Sequence, residues 1–64
     1  MTNLQKYRKA AGLTQLDLSV LSGVNLRTLQ DYEQGRKPIN QAAAVTVHNI
    51  AKVLGVTVED LITE

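Results

Sequence analysis

Residues 14–35 read TQLDLSVLSGVNLRTLQDYEQG, two short apolar-periodic runs separated by Ser22-Gly23-Val24-Asn25. Thr14 and Asn25 stand where a helix N-cap belongs, because a side-chain oxygen there accepts from an otherwise orphaned backbone N–H. Gly23 and Gly35 stand just past the ends of the two runs, where the chain must turn through φ > 0. The stretch therefore predicts two helices, near 15–22 and 26–34.

So short a link forces the two helices to cross steeply instead of lying antiparallel, which makes them a helix-turn-helix. Ser19 is small enough to let them approach, Gly23 takes the turn, and Val24 and Leu29 fill the angle between them.

The same punctuation organises the rest of the chain. Gly12 and Gly55 close further helical runs, and Asn3, Asn40 and Thr57 are the matching cap candidates. Thr14 and Thr57 each precede an acid by three residues, Asp17 and Asp60, in a capping-box-like arrangement. Three more helices are thus expected, near 3–11, 41–54 and 58–63. Leu4, Tyr7 and Ala11 form the inner side of the first helix, and Leu18 and Leu21 that of the second. Val24, Leu29 and Tyr32 serve the third. Ala43, Val47, Ile50, Ala51 and Leu54 recur at helical spacing in the fourth. Leu61 anchors the fifth, with Val58 or Ile62. The β-branched Val45-Thr46-Val47 lowers local helix propensity, so tertiary packing must hold the fourth helix. The expected fold is all-α: a compact five-helix bundle, one domain over residues 1–64.

Composition narrows the chemistry. A chain of 64 residues buries only about 60% of its unfolded surface, so stability is marginal. There is no cysteine and a single histidine, His48, so no disulfide, thiolate or zinc cluster is expected. No nucleophile or paired acid accompanies His48, and no Gly-rich phosphate loop precedes a helix. No catalytic residue, metal or cofactor is expected. The N-terminal MTNLQKYRKA lacks the apolar core of a signal peptide, and no run approaches the roughly 20 apolar residues of a membrane span. A cytoplasmic protein without membrane contact is the expectation. The net charge of +1 says almost nothing about partners, so any case for a polyanion depends on where the charges sit.

AGLTQLDLSVLSGVNLRTLQDYEQGRKP (11–38) and NIAKVLGVTVEDLI (49–62) together resemble the phage repressor and Cro type of helix-turn-helix domain, the XRE-like family. The resemblance runs from Leu4 to Ile62 through several co-spaced motifs. It implies a lambda-repressor-like domain that binds double-stranded DNA as a small bacterial or phage transcriptional regulator. The third helix would enter the major groove while the second crosses the phosphate backbone. It implies phosphate contacts from Thr14 and Gln15 at the start of the second helix, and from Gln34, Arg36 and Lys37 at the end of the third. It also implies that Arg8 and Glu33 form a structural ion pair tying the first helix to the third. A homodimer on a palindromic operator would follow, with helix five and VEDLITE (58–64) as its interface.

The same resemblance assigns base reading to Asn25, Leu26, Arg27, Thr28 and Asp31. With Leu29 and Tyr32 inward, 100° per residue turns Arg27, Asp31 and Gln34 away from the core, with Gln30 beside them. Arg27 can donate twice to guanine, Gln30 or Asn25 can pair with adenine, and Leu26 can meet a thymine methyl. Asn25 also has a competing use as the N-cap. Asp31 brings negative charge toward a polyanion. Its direct use is to accept from cytosine N4; its indirect use, as the i+4 neighbour of Arg27, is to fix that side chain's rotamer. A different function on the same fold stays open, because fold alone does not fix function. Leu16 and Val20, with Leu26 or Ile62, can form an apolar patch for a protein partner, as in an antitoxin or a regulator subunit.

Overall fold

The computed structural model describes residues 2–62 and is helical throughout its regular structure, with no strand among those residues. Five α-helices follow in order: α1 (Asn3–Ala10), α2 (Gln15–Ser22), α3 (Leu26–Glu33), α4 (Ala44–Leu54) and α5 (Val58–Ile62). A short 3-10 turn, Ile39–Gln41, separates α3 from α4. Thr63 and Glu64, included in the expected fifth helix and dimer interface, lie outside the described residues.

One apolar core joins all five helices: Leu4 from α1, Leu18 from α2, Val24 and Leu29 around α3, Val47, Ile50 and Ala51 from α4, and Leu61 from α5. Tyr7, Tyr32, Leu54 and Val58 pack against it from the sides, as do Leu13 and Ile39, which the helical pattern does not single out. Of the two candidates offered beside Leu61, Val58 is the one that packs and Ile62 is exposed.

Local chemistry sets the helix ends. Thr14 Oγ1 accepts from Asp17 N at 3.0 Å while the Asp17 carboxylate accepts from Thr14 N at 3.1 Å. Thr57 and Asp60 repeat this reciprocal pair at 3.1 Å in both directions. Asn25 Oδ1 accepts from Arg27 N at 2.8 Å, so Asn25 is the cap of α3. Gly23 at φ 72° and Gly55 at φ 70° end α2 and α4 in the left-handed region that only glycine enters without strain.

Six expectations are corrected. The cap of α1 is Thr2, whose hydroxyl accepts from Gln5 N at 3.3 Å. Asn3 instead donates its side-chain amide to the Asp60 carbonyl at 3.0 Å, fastening α1 to α5. The fourth helix starts at Ala44, not Gln41, and Asn40 does not cap it. Its N-cap is Ala43, whose side chain accepts nothing and is exposed. The cause is tertiary: the 3-10 turn and the extended Ala42 direct Ile39 and Ala42 onto the core, which a continuous helix would not do. Ala11 is exposed at the end of α1. Leu21 is 61% exposed, because Ser22, one turn beyond Leu18, takes the inner position.

Ser22 explains why a polar residue sits there. Its buried hydroxyl donates to the Leu18 carbonyl at 2.6 Å and accepts from Val24 N at 3.3 Å. Ser19 Oγ donates to the Val24 carbonyl at 2.6 Å. Two serines thus satisfy the backbone of the α2–α3 turn and fix how α3 is presented.

Candidate nucleic-acid interface

The outward side of α3 is held in place from behind by ionic and amide groups. Arg8 is buried, and its guanidinium donates from Nε to Glu33 Oε2 at 2.7 Å and from Nη2 to Glu33 Oε1 at 3.0 Å. Its Nη1 donates to the Leu13 carbonyl at 2.7 Å, so three edges of the group are engaged. A planar fork against a carboxylate is the geometry in which Arg outperforms Lys.

Glu33 extends this anchor outward. Gln15 Nε2, at the first position of α2, donates to Glu33 Oε1 at 3.2 Å. Gln30 Nε2 then approaches Gln15 Oε1 at 3.5 Å, a long contact. A chain of polar side chains therefore runs from the buried Arg8 through Glu33 and Gln15 to Gln30. The Gln15 amide has a second N–H beyond the one it gives to Glu33.

A second cluster centres on Asp31. Its carboxylate lies 3.4 Å from Arg27 Nε, 3.8 Å from Arg36 Nη1 and 3.8 Å from Lys37 Nζ. The Asp31 side chain is only 11% exposed, whereas Arg27, Arg36 and Lys37 are 74%, 60% and 61% exposed. The cations cover the acid. What faces solvent there is a basic surface with three positive groups over one negative one.

The remaining site residues are more dispersed. Leu26 and Thr28 are half-buried on either flank of α3, and Gln34 is exposed beyond its end. Thr14 is exposed, its hydroxyl oxygen already committed to Asp17 N. Asn25 is exposed but occupied as the cap. Leu16 and Val20 are 59% and 73% exposed on the side of α2 opposite Leu18.

Helical spacing alone does not reveal two of these relationships. Gln15 and Gln30 meet across the α2–α3 angle. Arg36 and Lys37 fold back on Asp31 because their own amides donate to its carbonyl, at 2.9 and 3.3 Å. A hint lies in the sequence order, with Arg-Lys five and six residues past an acid and a glycine between.

Guanidinium and carboxamide groups beside a basic loop can hydrogen-bond base edges and neutralise phosphates. Among the described residues no group of three His, Cys, Asp or Glu side chains is placed to hold a metal ion. No helix among them is long and apolar enough to cross a membrane.

Comparison with known proteins places this geometry in context. A family model described as helix-turn-helix matches residues 4–61. An uncharacterized HTH-type transcriptional regulator of Sinorhizobium fredii, y4dJ, is 31% identical over 62 residues, covering 97% of this chain and 77% of that protein. No solved structure matches the chain.

Proposed function

The chain belongs to the XRE-type helix-turn-helix family, and from that premise we propose that it is a sequence-specific double-stranded DNA-binding protein acting as a small transcriptional regulator of repressor or Cro type. Family membership and the relative named as a transcriptional regulator support DNA binding and regulation, and point to a protein without catalytic activity. The observation that carries the finer reading is the exposed basic surface of Arg27, Arg36 and Lys37 on and just beyond α3.

In this reading α3 lies in the major groove. Arg27 donates to guanine, Gln30 to adenine, and Leu26 and Thr28 flank them against the bases. Gln15 donates its second N–H to a phosphate, with the positive end of α2 behind it. Thr14 sits beside it, while Gln34, Arg36 and Lys37 grip the backbone past the end of α3. A single copy makes few phosphate contacts, so a homodimer on half-sites about 34 Å apart would serve a palindromic operator. It would act in the cytoplasm of a bacterium or a phage host.

Selection from random duplexes, then binding at two salt concentrations, tests this. Arg36 and Lys37 as phosphate-neutralising groups give a log–log salt slope of roughly −2 per bound copy and −4 for a dimer. A palindromic consensus with such a slope is the expected result. Failure to enrich any sequence at low salt would contradict the reading.

The second reading, a protein-interaction module, draws on the exposure of Leu16 and Val20. It makes a different prediction: Leu16→Ser with Val20→Ser leaves duplex binding unchanged and abolishes binding to a protein partner.

A further inference from the structure

We infer that Asp31 is a positioning residue and not a base reader: it gathers Arg27 of α3 and Arg36 and Lys37 of the following loop into one basic surface, coupling base recognition to backbone grip. This inference rests on the DNA-reading proposal above.

Three observations converge on it. First, the carboxylate is covered. With 11% of its side chain exposed beneath three cations, Asp31 offers little edge to a cytosine amino group. Second, its carboxylate approaches Arg27 at Nε, at 3.4 Å, as an ion pair one helical turn away. The approach is at Nε, while the two terminal nitrogens form the fork that meets guanine O6 and N7 end-on. Fixing an otherwise flexible side chain before binding removes part of the ordering cost at the moment of contact.

Third, Asp31 holds the loop by main chain as well as side chain. Its carbonyl accepts from Arg36 N at 2.9 Å and Lys37 N at 3.3 Å, while its carboxylate attracts the side chains of the same two residues. One residue therefore fixes the loop's backbone and the direction of its charges relative to Arg27. Unpaired, the acid would simply repel phosphate. Surrounded, it leaves an outward surface dominated by cations, whose mutual repulsion its own charge offsets.

The probe is the duplex most enriched from a random pool by the unaltered chain, compared with a scrambled duplex of the same composition. Binding of both is measured for the unaltered chain, Asp31→Asn, Asp31→Glu, Arg27→Ala and Arg27→Ala/Asp31→Asn, with thermal unfolding as the check on folding. Asp31→Asn is expected to lower the selected-to-scrambled affinity ratio by about tenfold, the scale of one good bidentate base contact. In the Arg27→Ala background the same change should shift that ratio by less than about twofold, because the side chain it orients is gone. Asp31→Glu keeps a carboxylate among the cations and should lose no more than about threefold. An Asp31→Asn variant that gains affinity equally for both duplexes would overturn the inference, since Asp31 would then be only a repulsive charge; DNA reading would stand. An equal loss in the Arg27→Ala background would overturn it as well. If the unaltered chain enriches no duplex, the DNA reading fails and the inference fails with it.

Discussion

Arg8 of α1 and Glu33 at the end of α3 meet through two hydrogen bonds, at 2.7 and 3.0 Å, with side chains only 10% and 1% exposed. The pair joins the first helix to the last turn of the third, and through Gln15 it joins the second as well. Removing one partner leaves the other charged and buried, which costs about 3–5 kcal/mol. Small domains have about 5–15 kcal/mol in total. Glu33→Ala is therefore expected to remove a large share of the stability, a fall in the urea midpoint that circular dichroism would register. A loss below about 1 kcal/mol would mean that the pair is solvated and does not hold the two helices.

The α2–α3 turn makes a second prediction. Ser22→Ala removes a buried hydroxyl that serves both the Leu18 carbonyl and the Val24 amide. The Val24 N–H loses its partner, at a cost of about 1–3 kcal/mol. Because Val24 opens the approach to α3, the same variant should bind duplex DNA more weakly even where it stays folded. Urea midpoints and duplex affinity, measured on one preparation, separate the two effects.

Leu18 and Leu21 form a paired test of the α2 face. Leu18 is fully buried, and Leu18→Ala should cost about 2–5 kcal/mol. Leu21, 61% exposed, lines the shallow cleft with Asn49, Lys52 and Val53, so Leu21→Ala should change stability by less than about 0.5 kcal/mol. Equal losses at the two positions would contradict the burial described here.

That pair also shows where sequence reading stops. Cap chemistry is local, so Thr14 with Asp17, Asn25, and Thr57 with Asp60 can be recognised from spacing alone. Apolar periodicity likewise identifies Leu4, Leu18, Leu29, Ile50 and Leu61, the five largest fully buried side chains. Leu21 misleads because periodicity favours an apolar residue inside, whereas the turn needs the hydroxyl of Ser22 there. Asn40 misleads because Ile39 and Ala42 decide the start of α4 through core packing, which no cap signal reports. At the site, resemblance supplies Arg8 with Glu33, and helical spacing supplies Arg27 beside Asp31. The enclosure of Asp31 escapes both, since it depends on a loop folding back over α3.

Arg27 and Lys37 should fail differently as DNA ligands. Arg27→Ala is expected to cost about 1–3 kcal/mol on the selected duplex and little on a scrambled one, relaxing preference at one base pair. Lys37→Ala should weaken both duplexes alike and reduce the salt slope by about 1 per bound copy. Fluorescence anisotropy across a salt series on the two duplexes distinguishes them. A uniform loss from Arg27→Ala would reassign it to the phosphate backbone.

The claim that the outward side of α3 and the loop after it read duplex DNA is tested most directly by titrating the isotope-labelled chain with its selected duplex and following backbone amide resonances. The largest shifts are expected at Leu26 to Asp31 and at Gln34 to Lys37, with smaller ones at Thr14 and Gln15 where α2 begins. Shifts centred instead on Leu16, Val20 and Leu21, with α3 and its loop unmoved, would contradict it.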